Sequence, residues 1–390
     1  MQSSRRGQVD PFIVMDMVEQ ARALESAGRH IIHMEVGQPG SAAPVLAREA
    51  VAREMARTPL GYTVALGLPA LRRGIADLYR RWYGIDLNPD RVIVTSGSSA
   101  AFLLAFTALF DAGDRVGLGE PGYPSYRQIL KALSLTPVGI ATTAENRFQP
   151  VPQDLDGVQM QGLIVASPGN PTGTMLDHAH LKALMDQAAG RGIAFVSDEI
   201  YHGLHYSDRA VSALEISDEV YVINSFSKYF SMTGWRIGWM VVPQDHIRTV
   251  ERLAQNMFIC APHVSQIAAL AALDAVEEME ENRAIYATNR RLMLEGLPSA
   301  GFARIAPPDG AFYIYADVSD LTTDSLALAR QILAQAGVAV TPGLDFDPLR
   351  GAQTLRFSYA GATADVVEGL TRLRGFMEGR GLGLEGAINK

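Results

Sequence analysis

A three-layer α/β/α domain with a mostly parallel central sheet, joined by a small α+β domain built from the N- and C-terminal segments, is the fold the sequence predicts. Two observations predict it. From about residue 48, short apolar β-runs alternate with helical segments, the pattern of parallel strands covered by helices on both faces. After about residue 285 a second β-rich block follows, with a helical stretch inside it. The length of 390 residues, with 48% hydrophobic and 19% charged residues, fits two folded domains and excludes a disordered or fibrous chain. Residues 1–45 then form an N-terminal arm, helix and strand contributing to the small domain, 46–284 the large domain, and 285–390 the small C-terminal domain.

Each element has its own signal. Asp10-Pro11 reads as a helix start, and Val14, Met17, Val18, Ala21 and Leu24 repeat at helical spacing up to Gly28. Ile31–Val36 follows as a short strand. The large domain supplies the runs Val92–Thr95, Arg115–Leu118, Leu163–Ala166, Ile193–Ser197, Val220–Asn224 and Ile237–Val242. The last block supplies Ala311–Ala316, Val338–Thr341 and Thr354–Ser358 as strands, with a helix over Ser325–Ala336. The glycine-rich tail from about Gly379 is expected to be disordered.

Several function classes fall away on composition. With 34 Lys and Arg against 42 Asp and Glu, the net charge of −8 argues against a nucleic-acid or anionic-membrane surface. The single cysteine, Cys260, cannot form an intrachain disulfide or a thiolate metal cluster, which fits a reducing, cytoplasmic setting. The longest apolar run, Ala100–Phe110, falls short of the roughly 20 residues of a membrane span. Arg5-Arg6 is followed by Gly7-Gln8-Val9-Asp10 where an export signal would turn apolar.

In open α/β sheets ligands bind outside the carboxyl ends of the strands, so the residues after each predicted strand are the candidates for chemistry. Ser96-Gly97-Ser98-Ser99 opens an apolar helix and offers free N–H groups to an anion such as phosphate, although Ser98 or Ser99 serves equally as an N-cap. Glu120-Pro121-Gly122-Tyr123-Pro124 presents a ring that suits packing as well as stacking. Ser167-Pro168-Gly169-Asn170-Pro171-Thr172-Gly173 is a stiff loop around one amide, and Asn in turns commonly bonds locally. Asp198, directly after a buried strand, must be paired, capping or functional, with Tyr201 three residues on. Ser225-Phe226-Ser227-Lys228 precedes Arg236 by eight positions. A lone lysine is normally solvated, but one hemmed by Phe226, Tyr229 and Phe230 would lose its proton readily and act as an amine nucleophile.

These features fall together at one set of strand ends, and in this order they resemble the class I/II aminotransferases of the fold-type I pyridoxal-phosphate enzymes, the aspartate aminotransferase superfamily. The likeness runs from Val36-Gly37-Gln38-Pro39 to Leu355-Arg356-Phe357-Ser358. It implies pyridoxal 5'-phosphate as cofactor and a ping-pong transfer of an amino group from an L-amino acid to a 2-oxo acid. By the same resemblance Lys228 is the Schiff-base lysine and proton shuttle, and Asp198 keeps the pyridinium nitrogen protonated so that the ring is an electron sink. Asn170 and Tyr201 bond the phenolate oxygen and Tyr123 stacks on the ring. Ser98, Ser99, Ser225 and Arg236 cradle the phosphate, the arginine through its planar fork. Arg356 clamps the substrate α-carboxylate, with the Gly37 backbone and Asn170 beside it. Tyr62, in Gly61-Tyr62-Thr63, matches the tyrosine that reaches the phosphate of the neighbouring subunit, implying a homodimer. Because Gly37 and Arg356 belong to the small domain, substrate binding is expected to draw that domain closed.

Departures from the family pattern concern specificity. Gly40-Ser41-Ala42-Ala43-Pro44 lacks the acidic and aromatic pair common after Gly-x-Pro, which removes a wall beside the substrate side chain. Tyr229 is larger than the usual residue after the lysine and is expected to reshape the pocket. No arginine is identifiable as a reader of a distal carboxylate. His202 and His205, at an i, i+3 spacing without a third ligand, read as structural or surface residues, His178 and His180 as solvated, and Trp235 and Trp239 as core or interface; no metal site is expected. The alternative chemistry on this scaffold is β-elimination at a carbon–sulfur bond, which begins with the same α-proton removal. A cofactor-binding sensor or transcription effector is disfavoured by the net charge and by the lack of a helix-turn-helix before Asp10.

Overall fold

The computed structural model describes residues 3–380; the glycine-rich tail expected to be disordered lies outside them beyond Arg380. In chain order the strands are β1 (Ile32–His33), β2 (Val92–Thr95), β3 (Arg115–Glu120), β4 (Thr136–Ala141), β5 (Gly162–Ala166), β6 (Ala194–Asp198), β7 (Tyr221–Ser225), β8 (Gly238–Val241), β9 (Arg304–Ala306), β10 (Tyr313–Asp317), β11 (Val338–Ala339), β12 (Thr341–Pro342) and β13 (Thr354–Ser358).

Seven of them form one sheet in the order β2-β8-β7-β6-β5-β3-β4, parallel throughout except for β8, which runs antiparallel to both neighbours. Strand alternation divides its side chains between two cores. Val92, Val94, Leu163, Val165, Val222, Trp239 and Val241 point to one, with helices Pro69–Tyr83, His178–Gly190 and His263–Ala272. Ile93, Ile164, Val196, Ile223 and Met240 point to the other, with helices Gly97–Leu109, Pro124–Ala132 and Ile247–Met257. A sheet buried on both faces between two helical layers is the expected three-layer arrangement. The apolar run Ala100–Phe110 is one of these covering helices, and among the described residues no helix is long and apolar enough to cross a membrane.

A four-stranded antiparallel sheet, β12-β13-β10-β9, and a parallel pair, β1-β11, make up the smaller part. The expected strand Ile31–Val36 is paired only over Ile32 and His33, because the chain then leaves β11 for β13: Ser358 N donates to Met34 O at 2.7 Å. The expected strand Val338–Thr341 is likewise divided between the two sheets.

Two sequence expectations are corrected. The N-terminal helix runs Ile13–Ser26 and is not capped by Asp10, whose carboxylate meets Lys131 Nζ at 2.7 Å; its first turn is held instead by Asp345, which accepts from Val14 N at 3.0 Å. A carboxylate at that end also suits the helix dipole. Strand β4 has no counterpart among the expected strands because Pro137 and Gly139 break up its short apolar stretch, a composition that an exposed edge strand tolerates.

Candidate active site

Loops at the carboxyl end of the large sheet face β10 and β13 across a cavity of about 230 Å³. At its floor, helix Gly97–Leu109 begins just after β2. Ser96 occupies the N-cap position without a side-chain cap bond, so Ser98 and Ser99 are first-turn residues whose N–H groups have no partner within the helix. Gly97 has φ +75°, and a Cβ there would stand 2.5 Å from Arg236 Nη2. The missing side chain is what lets the guanidinium lie against this turn, where Arg236 Nη1 also donates to Thr233 O at 3.0 Å. Main-chain amides, a helix N-terminus and a guanidinium with no carboxylate among them form a donor set for a phosphate. The Ser225 hydroxyl is spent on Ser227 Oγ at 2.8 Å and Ile237 O at 3.1 Å, and of these two serines it is Ser227 that lines the cavity.

Beyond the phosphate cradle, β6 delivers Asp198, 3% exposed. Its carboxylate accepts from the Tyr126 hydroxyl and from Ile200 N at 3.1 Å. Burial raises its pKa to about 6, against the pull of these two donors and of Lys228. Tyr126 was not anticipated, although Tyr123 and Tyr126 are one helical turn apart, a spacing that puts both on one face. Tyr123 lines the cavity with its ring edge-on to Tyr126, centroids 5.3 Å apart. The Tyr201 hydroxyl lies 2.9 Å from that of Tyr313, also unanticipated. Tyr313 explains Gly37 as well, since a Cβ there would fall 1.8 Å from its hydroxyl oxygen.

Lys228 stands in the turn after β7. Its Nζ donates to Gly37 O at 2.6 Å and lies 5.7 and 5.8 Å from the ring centroids of Tyr201 and Phe312. Burial, then the charges of Arg356 and Arg236, lower its pKa to about 7. The desolvation is as expected but the rings differ. Phe226 and Phe230 pack together in the core, Phe226 against Trp239, and Tyr229 turns against Gly203 with its hydroxyl on Glu280 Oε1 at 2.7 Å. Tyr229 therefore lies outside this cavity, because Gly203 and Trp82 leave room for it behind the lysine.

Arg356, in the middle of β13, is 2% exposed. Its guanidinium sits between the rings of Tyr313 and Phe346, at 4.4 and 4.8 Å. Nη1 donates to Asn170 Oδ1 at 3.0 Å and Nη2 to Glu35 O at 2.5 Å, while Nε has no partner. The Asn170 oxygen is thus committed to Arg356 rather than to a local turn, which leaves its amide N–H groups for the cavity. A buried cation with an unused donor, beside a buried amine and carboxylate, fits an anionic amino acid next to a pyridine cofactor.

Tyr62 is 82% exposed and does not reach this cavity within its own chain. His202 is buried, Trp239 is core, and His178 and His180 lie on the exposed start of helix His178–Gly190. Among the described residues no three His, Cys, Asp or Glu side chains are grouped to hold a metal.

Residues 29–373 match the family model for aminotransferase class I and II. The chain belongs to this family. The aminotransferase is 46% identical over 374 residues to the valine–pyruvate aminotransferase of Mycobacterium tuberculosis, covering 94% of this chain and 96% of the relative. Among solved structures it is similar to an aminotransferase from Mycobacterium tuberculosis, with a TM-score of 0.95 at 45% identity, covering 97% of this chain and 100% of that one. The aspartate aminotransferase from Thermus thermophilus with maleate superimposes with a TM-score of 0.91 at 31% identity, covering 96% and 100%. The aminotransferase is accordingly a pyridoxal-phosphate-dependent transferase, and the carbon–sulfur lyase alternative is not favoured by its relatives.

Proposed function

We propose that this enzyme passes the amino group of an uncharged aliphatic L-amino acid to a 2-oxo acid at the cavity between Lys228 and Arg356. The observation that carries this reading is one cavity holding a buried amine of lowered pKa, a buried carboxylate and a buried, incompletely satisfied guanidinium. The first-turn amides of Ser98 and Ser99 and the guanidinium of Arg236 hold the cofactor phosphate, with Ser227 or Ser225 at its side. Tyr123 would lie against the cofactor ring, Asn170 and Tyr201 would donate to its phenolate oxygen, and Asp198 would hold a proton at its ring nitrogen. Pyridoxal phosphate, when bound, supplies the electron sink that stabilises charge at the substrate α-carbon.

Arg356 orients the substrate by its carboxylate through a planar fork, assisted by the Gly37 backbone. Lys228 Nζ would hold the cofactor covalently and, as a neutral amine, would take and return the proton at the substrate α-carbon. Its lowered pKa supports this, since a substantial fraction is neutral near pH 7 without an added base. The same groups serve the oxo acid in reverse, which gives two half-reactions at one site.

Beyond Lys228, Arg236 and Arg356, no cation among the described residues lines the cavity, and Phe12, Val14, Val36 and Tyr123 supply apolar wall. This supports an aliphatic donor, as does the relative named valine–pyruvate aminotransferase. A homodimer is supported by Tyr62, Val64, Met257 and Ile259, exposed apolar side chains on one loop and on the end of helix Ile247–Met257 with the turn after it, tied by the Thr63 N to Cys260 Sγ contact at 3.4 Å. In that dimer Tyr62 completes the partner's phosphate site. We divide the chain at residues 45 and 284, in keeping with the pairing of β1 with β11, and place the enzyme in the cytoplasm on its single cysteine.

Titrating the loaded enzyme with single amino acids, with no oxo acid present, tests the reading by absorbance. Valine or a similar donor should bleach the cofactor's visible band and release its oxo acid, and Lys228→Ala should abolish both. Efficient turnover of aspartate, or an active Lys228→Ala enzyme, would refute it.

A further inference from the structure

We infer that His202 is a positioning residue, bracing the loop that carries Asn170 against the turn that carries Asp198 and Tyr201. The ring is 1% exposed, and both nitrogens are committed. Nε2 lies 2.9 Å from Ser167 O, which can only accept, so Nε2 carries the hydrogen. Nδ1 is then an acceptor and takes the Tyr83 hydroxyl at 2.6 Å. Burial holds the ring neutral, its pKa lowered to about 3. The other group facing Nδ1 is Glu199, with Oε2 at 3.5 Å. That carboxylate is already supplied by Ser212 Oγ, Ala213 N and Ser197 Oγ.

The two ends of the brace belong to different strands. Ser167 follows β5 and begins the stiff loop to Asn170; its Oγ accepts from Leu176 N at 2.9 Å and its N–H donates to Asp198 O at 3.3 Å. His202 follows β6, where its own N–H donates to Glu199 O at 2.9 Å in the turn that presents Tyr201. One uncharged imidazole therefore adds a side-chain tie, beside the Ser167 N–H to Asp198 O bond, between the loop to Asn170, which holds Arg356 Nη1, and the Asp198–Tyr201 segment. Without the ring, the Ser167 carbonyl and the Tyr83 hydroxyl lose their partner inside the protein, and the start of the Asn170 loop keeps only its bonds to Asp198 O and Leu176 N. A displacement of the order of 1 Å in such a clamp costs binding and orientation of substrate.

The inference rests on the assignment of Asn170 and Arg356 proposed above, and the test separates the two. Holoenzyme carrying His202→Leu is compared with His202→Gln, whose amide can donate and accept at the same two points. His202→Leu is expected to raise KM for amino acid and oxo acid together by about tenfold, with a smaller loss in kcat. It should also move upward the pH at which the cofactor's visible band changes form, because Asn170 no longer donates steadily to the phenolate. His202→Gln should recover most of both. A lowered melting temperature in His202→Leu with unchanged KM and unchanged band midpoint would overturn the inference. Should His202→Leu fail to fold, Tyr83→Phe decides, with a rise in KM of about threefold expected and an unchanged KM overturning it. Arg356→Ala is measured alongside. A KM loss there with none in His202→Leu refutes the brace alone, and an unchanged KM in Arg356→Ala refutes the clamp and the brace with it.

Discussion

Replacing Tyr126 by Phe removes one hydroxyl and keeps the ring packed against Phe102 and Tyr123. The lost bond is the strongest of the interactions that offset burial at Asp198. A hydrogen bond to a buried carboxylate contributes about 1.5–3 kcal/mol, so the Asp198 titration should move upward by about 1–2 pH units. The sign follows from the charge: the hydroxyl favours the ionised form, and without it less carboxylate is present at a given pH. If ionised Asp198 receives the cofactor ring nitrogen, the wild-type affinity advantage should be about tenfold to a hundredfold near pH 5. It should narrow to about twofold to tenfold near pH 7 and vanish by about pH 9. The assay is fluorescence titration of both cofactor-free proteins with pyridoxal phosphate across this range. Taking the ratio at each pH cancels ionisation of the phosphate and of Lys228. A ratio that stays constant with pH would mean that Tyr126 acts by packing alone, and would refute the reasoning.

Other expectations follow from the same geometry. Arg356→Lys keeps the charge but loses the fork between Tyr313 and Phe346, so KM for donor and acceptor should both rise by about thirtyfold or more while the cofactor band is retained; steady-state kinetics with either substrate varied checks this. In cofactor-free protein, the rate of covalent capture of pyridoxal phosphate should rise through about pH 7 and level off, as stopped-flow absorbance would report, whereas an ordinary lysine would keep accelerating toward its usual pKa. The Glu35 carboxylate hydrogen-bonded to His33 raises that histidine to about 9. His33 therefore stabilises the fold fully below its unfolded pKa of about 6.5, and the contribution fades as pH rises through about 9. His33→Gln should lower stability by about 1–2 kcal/mol near pH 6, discounted for partial exposure, and by almost nothing above about pH 9.5 in thermal melts.

What the sequence disclosed depends on whether a residue's role is local. The buried strands were legible because β2, β5, β6, β7 and β8 are apolar on both faces, and the side chains at their ends were legible because motif spacing follows chain order. Asn170, Asp198, Lys228 and Arg356 all meet at the cavity. Tyr126, Tyr313 and Phe346 were not found, because an aromatic residue at helical or strand spacing looks the same whether it fills a core or flanks a guanidinium. The capping of the first helix by Asp345 joins residues 331 positions apart, and no local pattern encodes it. Tyr229 shows the reverse error: adjacency to Lys228 implied a pocket wall, but its side chain leaves the turn on the other side, against Gly203 and Trp82. His202 looked bland in sequence for a related reason, since only the fold brings Ser167 and Tyr83 to its two nitrogens.

The reversal of β8 has a consequence for how this protein can change. Because β8 runs against β7, with Ser225 paired to Gly238, the chain leaves the sheet and re-enters it at the same edge. Lys228 and Arg236 therefore share a single excursion of twelve residues between those strands, from Phe226 to Ile237. An inserted or deleted residue there would displace both at once. Connections at the opposite end of the strands, such as Asp111–Asp114 ahead of β3, line none of this cavity and can lengthen at little cost to it. Length variation among descendants of this chain should accordingly gather on one side of the sheet, leaving the other fixed in register.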